Sequence, residues 1–164
     1  MSAPDNKALL ERFYAAFAVR DAATMAACYA PRAEFVDPVF ELHGAEIGAM
    51  WAMLCERGVD LRVEARDIAA DRERGAAHWE AWYTFSATGR PVHNVIDATF
   101  AFDDDGRIAR HQDTFDLWRW SRMALGAKGA ALGWTRTAKK AIRAEARKSL
   151  DAWIERRARP AGAV

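Results

Sequence analysis

Cysteine is nearly absent. Of 164 residues only Cys28 and Cys55 are cysteine, and both fall inside alanine- and methionine-rich helical patterns. Two isolated thiols argue against a disulfide framework or a zinc site and fit reduced, buried side chains. Net charge is equally scarce: 24 Lys and Arg stand against 23 Asp and Glu, leaving +1. Such a balance creates no field that implies a nucleic-acid or membrane partner, and neither is expected. No run of about 18 apolar residues occurs. The segment from Met1 to Phe13 is interrupted by Asp5, Lys7, Glu11 and Arg12, unlike a secretion signal, so a soluble cytoplasmic protein is expected. Short chemical motifs are missing too: there is no Gly-x-Ser-x-Gly elbow, phosphate loop or dinucleotide fingerprint. His43, His78, His93 and His111 are scattered without metal-ligand spacing, so neither a metal nor a cofactor is expected. Asp103-Asp104-Asp105-Gly106 opens like a calcium loop but lacks the later ligands, and reads as a tight turn.

What is present is apolar residue at 51% and charge at 29%, enough for one domain with a sizeable core. Leu9, Leu10, Phe13, Tyr14 and Phe17 fall three and four apart, predicting a helix over Asp5 to Val19. Asp21 is placed to cap a second helix through Tyr29, ended by Pro31. Ala33 to Asp37 reads as extended, and a third helix follows from Ala45 to Glu56. From Gly58 the period becomes two. Leu61 to Ala65, Ala76 to Phe85, Val92 to Phe102 and Ile108 to Trp118 read as antiparallel strands, separated by turns at Asp71-Arg72, Thr88-Gly89 and Asp103 to Gly106. Helices first and strands later is an α+β order, with helices on one face of a curved sheet.

Beyond Trp120, Gly126, Gly129 and Gly133 punctuate a short segment before a helical stripe from Thr137 to Arg157. Residues 128–164 carry a net +7 and residues 1–127 a net −6. The chain therefore divides into a domain over 1–120 and a helical extension over 121–164, docked on the acidic domain or on a partner subunit.

Phe35-Val36-Asp37-Pro38 followed by Gly44, Thr88-Gly89-Arg90 between strands, and Asp105-Gly106-Arg107-Ile108 followed by His111 to Leu117 occur in a telling order. Over residues 5–120 the chain resembles the nuclear transport factor 2-like superfamily, and within it the SnoaL-like branch. The resemblance implies a cone-shaped, barrel-like curved sheet with a deep apolar pocket, often dimeric through the outer sheet face. Relatives include ketosteroid isomerases, limonene epoxide hydrolase, scytalone dehydratase, polyketide cyclases and noncatalytic binding modules. Asp37-Pro38 matches the isomerase base. Phe13 and Ala98 fall where that pattern has a tyrosine and an aspartate, with Tyr14 and Asp97 one residue away. The epoxide hydrolase pattern meets Trp79 and Ala81, with His78 and Glu80 one residue out of phase. The cyclase pattern, which relies on one late-strand aspartate, meets Asp113.

On the last strand His111, Asp113 and Phe115 share one parity, and the resemblance turns that face to the pocket. Neighbours two apart lie about 6–7 Å from each other, close enough to flank a substrate atom without having to touch. Asp113 is the expected acid/base, with His111, Asn94 and Asp37 assisting. Tyr14, Phe35, Met50, Leu54, Trp79, Tyr83, Phe85, Phe100 and Phe115 are the expected walls. The reading is a cofactor-independent acid/base enzyme of the cyclase, isomerase, dehydratase or epoxide hydrolase kind. Its ligand would be small, apolar and carbonyl-bearing or polycyclic, and its assembly a homodimer. The alternative is a noncatalytic small-molecule-binding or assembly module of the same fold.

Overall fold

The structure is a computed structural model and describes residues 3–160. Helix α1 (Ala3–Ala18) turns its whole predicted stripe, Leu9, Leu10, Phe13, Tyr14 and Phe17, into the core. The Asn6 amide donates to the carbonyls of Asp71 and Arg72, both at 3.0 Å, clamping the helix to a strand turn 65 residues away. Asp21 accepts from the Thr24 amide at 3.1 Å and caps α2 (Ala22–Ala27) as the sequence predicts. That helix ends earlier than expected. Tyr29 begins β1 (Tyr29–Val36), and Pro31 lies within that strand beside a register break rather than ending a helix.

A three-residue strand β2 (Glu41–His43) precedes α3 (Ala45–Arg57), whose Ile47, Met50, Trp51 and Met53 are buried. Then come β3 (Arg62–Ala70), β4 (Arg74–Phe85), β5 (Arg90–Phe102) and β6 (Ile108–Thr114). The six strands form one curved, unclosed sheet in the order β2-β1-β6-β5-β4-β3. Every pair is antiparallel except β1 with β6, which are parallel. The α+β class and the helix-lined curved sheet are those the sequence predicts.

Side-chain parity follows the gapless reading. On β4, Ala77, Trp79 and Ala81 point inward, and on β5, Val92, Asn94, Ile96, Ala98 and Phe100 do. Asp97 is turned outward and meets His78 Nδ1 at 2.8 Å on the outer face. Glu80 also lies there, receiving Arg66 at 2.9 Å and sharing 2.8 Å with His93 Nε2. Neither out-of-phase alternative is therefore available to the interior, because period two assigns each residue to one face.

The last strand is shorter than the alternation suggests. It ends at Thr114, and Asp116 accepts from the Arg119 amide at 3.0 Å to cap α4 (Leu117–Leu125). Phe115 thus sits in the link, partly buried against the core, and not on the strand face with His111 and Asp113. Trp118, expected on the sheet, lies on α4. Helix α5 (Ala127–Leu132) packs on α4, and α6 (Arg136–Ala158) lies against α3. Leu150 and Trp153 of α6 enter the same core cluster, while Arg147 pairs with Glu46 and Arg157 with Glu56. Both cysteines are free and buried.

Candidate functional site

Alternation along β6 sends His111 and Asp113 inward and Gln112 outward. His111 is completely buried and Asp113 is 4% exposed. Opposite them on β5 stand Phe100, paired with His111, and Ala98, paired with Asp113. Ala98 is small, which leaves room for the carboxyl group. Aromatic rings enclose the imidazole: Phe100 lies 4.3 Å from it, Phe35 5.0 Å and Phe13 5.8 Å, centroid to centroid.

The two residues do touch. His111 Nε2 lies 3.0 Å from Asp113 Oδ1, closer than their spacing along a strand requires. The other ring nitrogen, Nδ1, lies 2.7 Å from the Tyr29 hydroxyl, and Trp51 Nε1 donates to that same hydroxyl at 3.0 Å. At the far end Trp79 Nε1 donates to Asp113 Oδ1 at 3.2 Å. The directions of the protons follow from the inventory of donors. Tyr29 oxygen accepts from the Trp51 indole, and its own proton is available to His111 Nδ1. With that bond in place, Nε2 is the ring nitrogen that donates to Asp113 Oδ1. This continuous chain, Trp51 to Tyr29 to His111 to Asp113, leaves no nitrogen of the buried imidazole unsatisfied.

At this site the Tyr14 hydroxyl and Asp113 Oδ2 make no hydrogen bond among the described residues. Asp113 Oδ2 makes no hydrogen bond and, unlike the enclosed atoms of the core, keeps some exposure. The Tyr14 hydroxyl is fully enclosed and unbonded. Burial first, and then the charge of Asp113, pushes the Tyr14 phenol well above the ordinary tyrosine range. It stays protonated, as does Tyr29, which is raised first by burial.

Asp37 lies at the end of β1, where its Oδ1 accepts from the amides of Val39 at 2.7 Å and Phe40 at 2.6 Å. Enclosure by protein raises its pKa from 3.8 to about 7 despite those two bonds, and the charge of Asp113 adds to the rise. From the outer side Arg143 of α6 opposes the shift, and its Nε donates to the Pro38 carbonyl at 2.8 Å. Asp37 therefore stands between the buried pair and the carboxy-terminal helix.

Among the other expected residues, Phe35, Met50, Trp79 and Phe100 are buried near the pair. Tyr83 and Phe85 lie farther along β4 against α4: Trp120 Nε1 donates to the Tyr83 hydroxyl at 2.8 Å, and its ring centroid is 5.2 Å from that of Phe85. Leu54 is 36% exposed on α3 and is not a wall of the interior. Asn94 faces inward but is cross-strand from Ala81, about 13 Å along β5 from Ala98, and makes no side-chain hydrogen bond among the described residues. It is not brought together with Asp113. Sequence reasoning missed Tyr29 and Trp51. The parity of Tyr29 with Ala33 and Phe35 carried the signal, which Pro31 obscured.

Aromatic rings crowd the His111–Asp113 pair: Phe13, Phe35 and Phe100 around the imidazole and Trp79 against the carboxylate. Two concavities open on the surface. One of about 520 Å³ runs along α6 between Arg147 and Glu155, and one of about 340 Å³ lies between Trp82, Tyr83, His93 and Met123. Neither is lined by His111 or Asp113. No group of three or more His, Cys, Asp or Glu among the described residues is arranged to hold a metal ion. No helix among them is long and apolar enough to cross a membrane.

Comparison with known proteins agrees with this architecture. AclR from Streptomyces galilaeus, described as a candidate hydroxylase, is 20% identical and superimposes with a TM-score of 0.62 over 80% of this chain and 99% of that one. A candidate polyketide cyclase from Xanthomonas campestris pv. campestris is also 20% identical, with a TM-score of 0.62 over 74% and 98%. An LEH-like epoxide hydrolase from M. tuberculosis is 18% identical, with a TM-score of 0.60 over 79% and 94%. At these identities the likeness is one of fold. No curated protein matches the chain. A family model, that of the SnoaL-like domain, matches residues 10–111, more than half of the sequence and every strand up to His111. The chain belongs to the SnoaL-like domain family.

Proposed function

We propose that the chain is a cofactor-independent acid/base enzyme acting on a small apolar ligand that carries a carbonyl group, with Asp113 as the proton-transferring residue. The observation that supports this reading is the buried His111–Asp113 hydrogen bond of 3.0 Å, made through Oδ1, which leaves Oδ2 outside the chain of hydrogen bonds. The enclosed, unbonded Tyr14 hydroxyl is a buried polar atom left unpaired at a cost of about 1–3 kcal/mol, and such groups concentrate where chemistry needs them. Asp113 Oδ2 would remove a proton from carbon beside the ligand carbonyl and return it to another atom, with no net change in composition. His111, donating to Oδ1, would hold the carboxylate in place, and Tyr14 would offer its unused hydroxyl proton to the carbonyl oxygen. Asp37, with a pKa of about 7, is suited to exchange that proton with solvent.

Among the reactions of related folds, the single-aspartate cyclase pattern is the one supported by side-chain parity. Trp79 and Ala81 occupy the inner positions where the epoxide hydrolase pattern needs an arginine and an aspartate. The crowding of rings around the pair favours a second reading, a noncatalytic binding module. The test is deuterium exchange at the carbon beside the carbonyl of polycyclic ketones such as 2-tetralone, followed by NMR in heavy water. The wild type should accelerate exchange and Asp113→Asn should lose about 100-fold of that acceleration. Ketones that bind without accelerated exchange would establish the binding module instead.

We infer a homodimer through the outer sheet face. Support comes from Trp82, which lies there between Arg62 at 4.1 Å and a stacked His93 at 4.6 Å. Light scattering at micromolar concentration should give twice the chain mass, and a monomer would refute the assignment.

A further inference from the structure

Between Asp116 and Glu145 the sequence carries seven Lys and Arg and no Asp or Glu. This segment spans α4, α5 and the start of α6, and it holds the most exposed large aromatic side chain among the described residues. Trp134 is 62% exposed, Leu132 50% and Trp118 39%. The two indoles meet neighbouring backbone groups: that of Trp118 donates to the Ala130 carbonyl at 3.2 Å and that of Trp134 to the Ala131 carbonyl at 3.1 Å, with exposed Leu132 next in the chain. Both indole N–H groups are therefore satisfied within the chain, and what faces outward is ring and aliphatic surface. The Arg122 guanidinium lies 4.5 Å over the Trp118 ring, and Lys128 of α5 and Arg136 and Lys140 of α6, in the same segment, are exposed like Arg122. None of these four cations has a carboxylate partner among the described residues, whereas Arg147 and Arg157 farther along α6 do.

We propose that this segment is a docking surface for an anionic lipid bilayer. Trp and Leu partition into the headgroup–acyl boundary, and their burial there leaves no donor unpaired. Unpaired Lys and Arg in the segment find phosphate charge at the same depth. Two other occupants fit less well. A base-stacking site for single-stranded nucleic acid needs open indole faces, and Arg122 covers one face of Trp118. A second copy of the chain would bring seven like charges against seven. The proposal departs from the expectation that the chain has no membrane partner. That expectation took in both the net charge and its segregation along the sequence, but not the exposure of Trp118 and Trp134 in the same segment as cations without carboxylate partners.

The test is co-sedimentation with vesicles of phosphatidylcholine containing about one third phosphatidylglycerol, and with phosphatidylcholine alone. The wild type should pellet with the anionic vesicles and release on raising salt. Trp134→Ser should weaken that binding about tenfold, and Arg136→Gln with Lys140→Gln about twentyfold, with helix content and thermal unfolding unchanged. All three side chains are exposed, so the variants should fold. The proposal is overturned if the wild type stays in the supernatant, if Trp134→Ser binds as well as the wild type, or if single-stranded RNA strips the protein from vesicles at equal phosphate concentration. It is likewise overturned if Trp134→Ser converts a dimer to a monomer in light scattering.

Discussion

Tyr29 and His111, separated by 82 residues, share a hydrogen bond of 2.7 Å between hydroxyl and Nδ1 that leaves Nε2 to face Asp113. Parallel pairing of β1 with β6 makes it possible, because it sets Phe35 beside His111 and brings the first strand into the same layer as the last. The orientation of the histidine ring is thus held by a residue far away in the sequence.

Tyr29→Phe should cost about 1–3 kcal/mol in urea unfolding, since it strands both the Trp51 donor and the His111 acceptor in an apolar core. In the wild type, nitrogen NMR should show His111 protonated at Nε2 and bare at Nδ1. A variant as stable as the wild type would show that the phenol is not holding the ring.

Asp37 should give the protein an unusual pH dependence. Its pKa is about 7 in the folded chain against 3.8 when free. Between those values the unfolded chain has released the proton and the folded chain keeps it. Stability therefore falls as pH rises through that window and levels off above it. The difference converts to an upper bound of about 4 kcal/mol, reduced by water at this partly exposed carboxyl. Asp37→Asn keeps the acceptor for Val39 and Phe40 and lacks the decline. Unfolding curves for the two proteins should converge near pH 3 and separate near pH 8, with the variant more stable.

Two glycines should respond in opposite degree to alanine. A Cβ at Gly129 would overlap the carbonyl of Ser121, a backbone obstacle that no rotamer change removes. Gly129→Ala should destabilise by at least about 3 kcal/mol and loosen α5 in hydrogen exchange. Gly89 has φ of +71° and open space around the position of a Cβ. Gly89→Ala should cost only the left-handed penalty, about 1 kcal/mol.

Asn6→Ala should cost about 2 kcal/mol, because it removes donors from two carbonyls of the β3–β4 turn. Hydrogen exchange should rise at Asp71 to Arg74 before it rises elsewhere. Uniform protection across the sheet would argue against the clamp.

Much of this fold is legible in the sequence because its hydrophobic period changes cleanly from helical to alternating near Gly58. His111 and Asp113 were legible through parity on a strand that can lie in only two ways. The contact between them was not, since side-chain rotamers bring together groups that strand geometry alone leaves apart. Tyr29 was hidden by Pro31, which reads as a helix stop but stands in an irregular strand. The beginning of α4 was hidden because Asp113 to Trp118 alternates like a strand until Asp116 turns to bind the Arg119 amide. The crowding of rings around the pair was invisible for another reason: ring volumes do not show in a pattern of polar and apolar letters.

The adjacency of β1 and β6 also bears on how the chain comes off the ribosome. Strand β1 has its long-range neighbour only once Ile108 to Thr114 have been made, so Phe35 and Ala33 travel through most of synthesis without the strand that covers them. Closing so long a loop late slows folding relative to a simple hairpin stack. The nascent chain is then most vulnerable to chaperone capture or misassociation just before its last strand emerges.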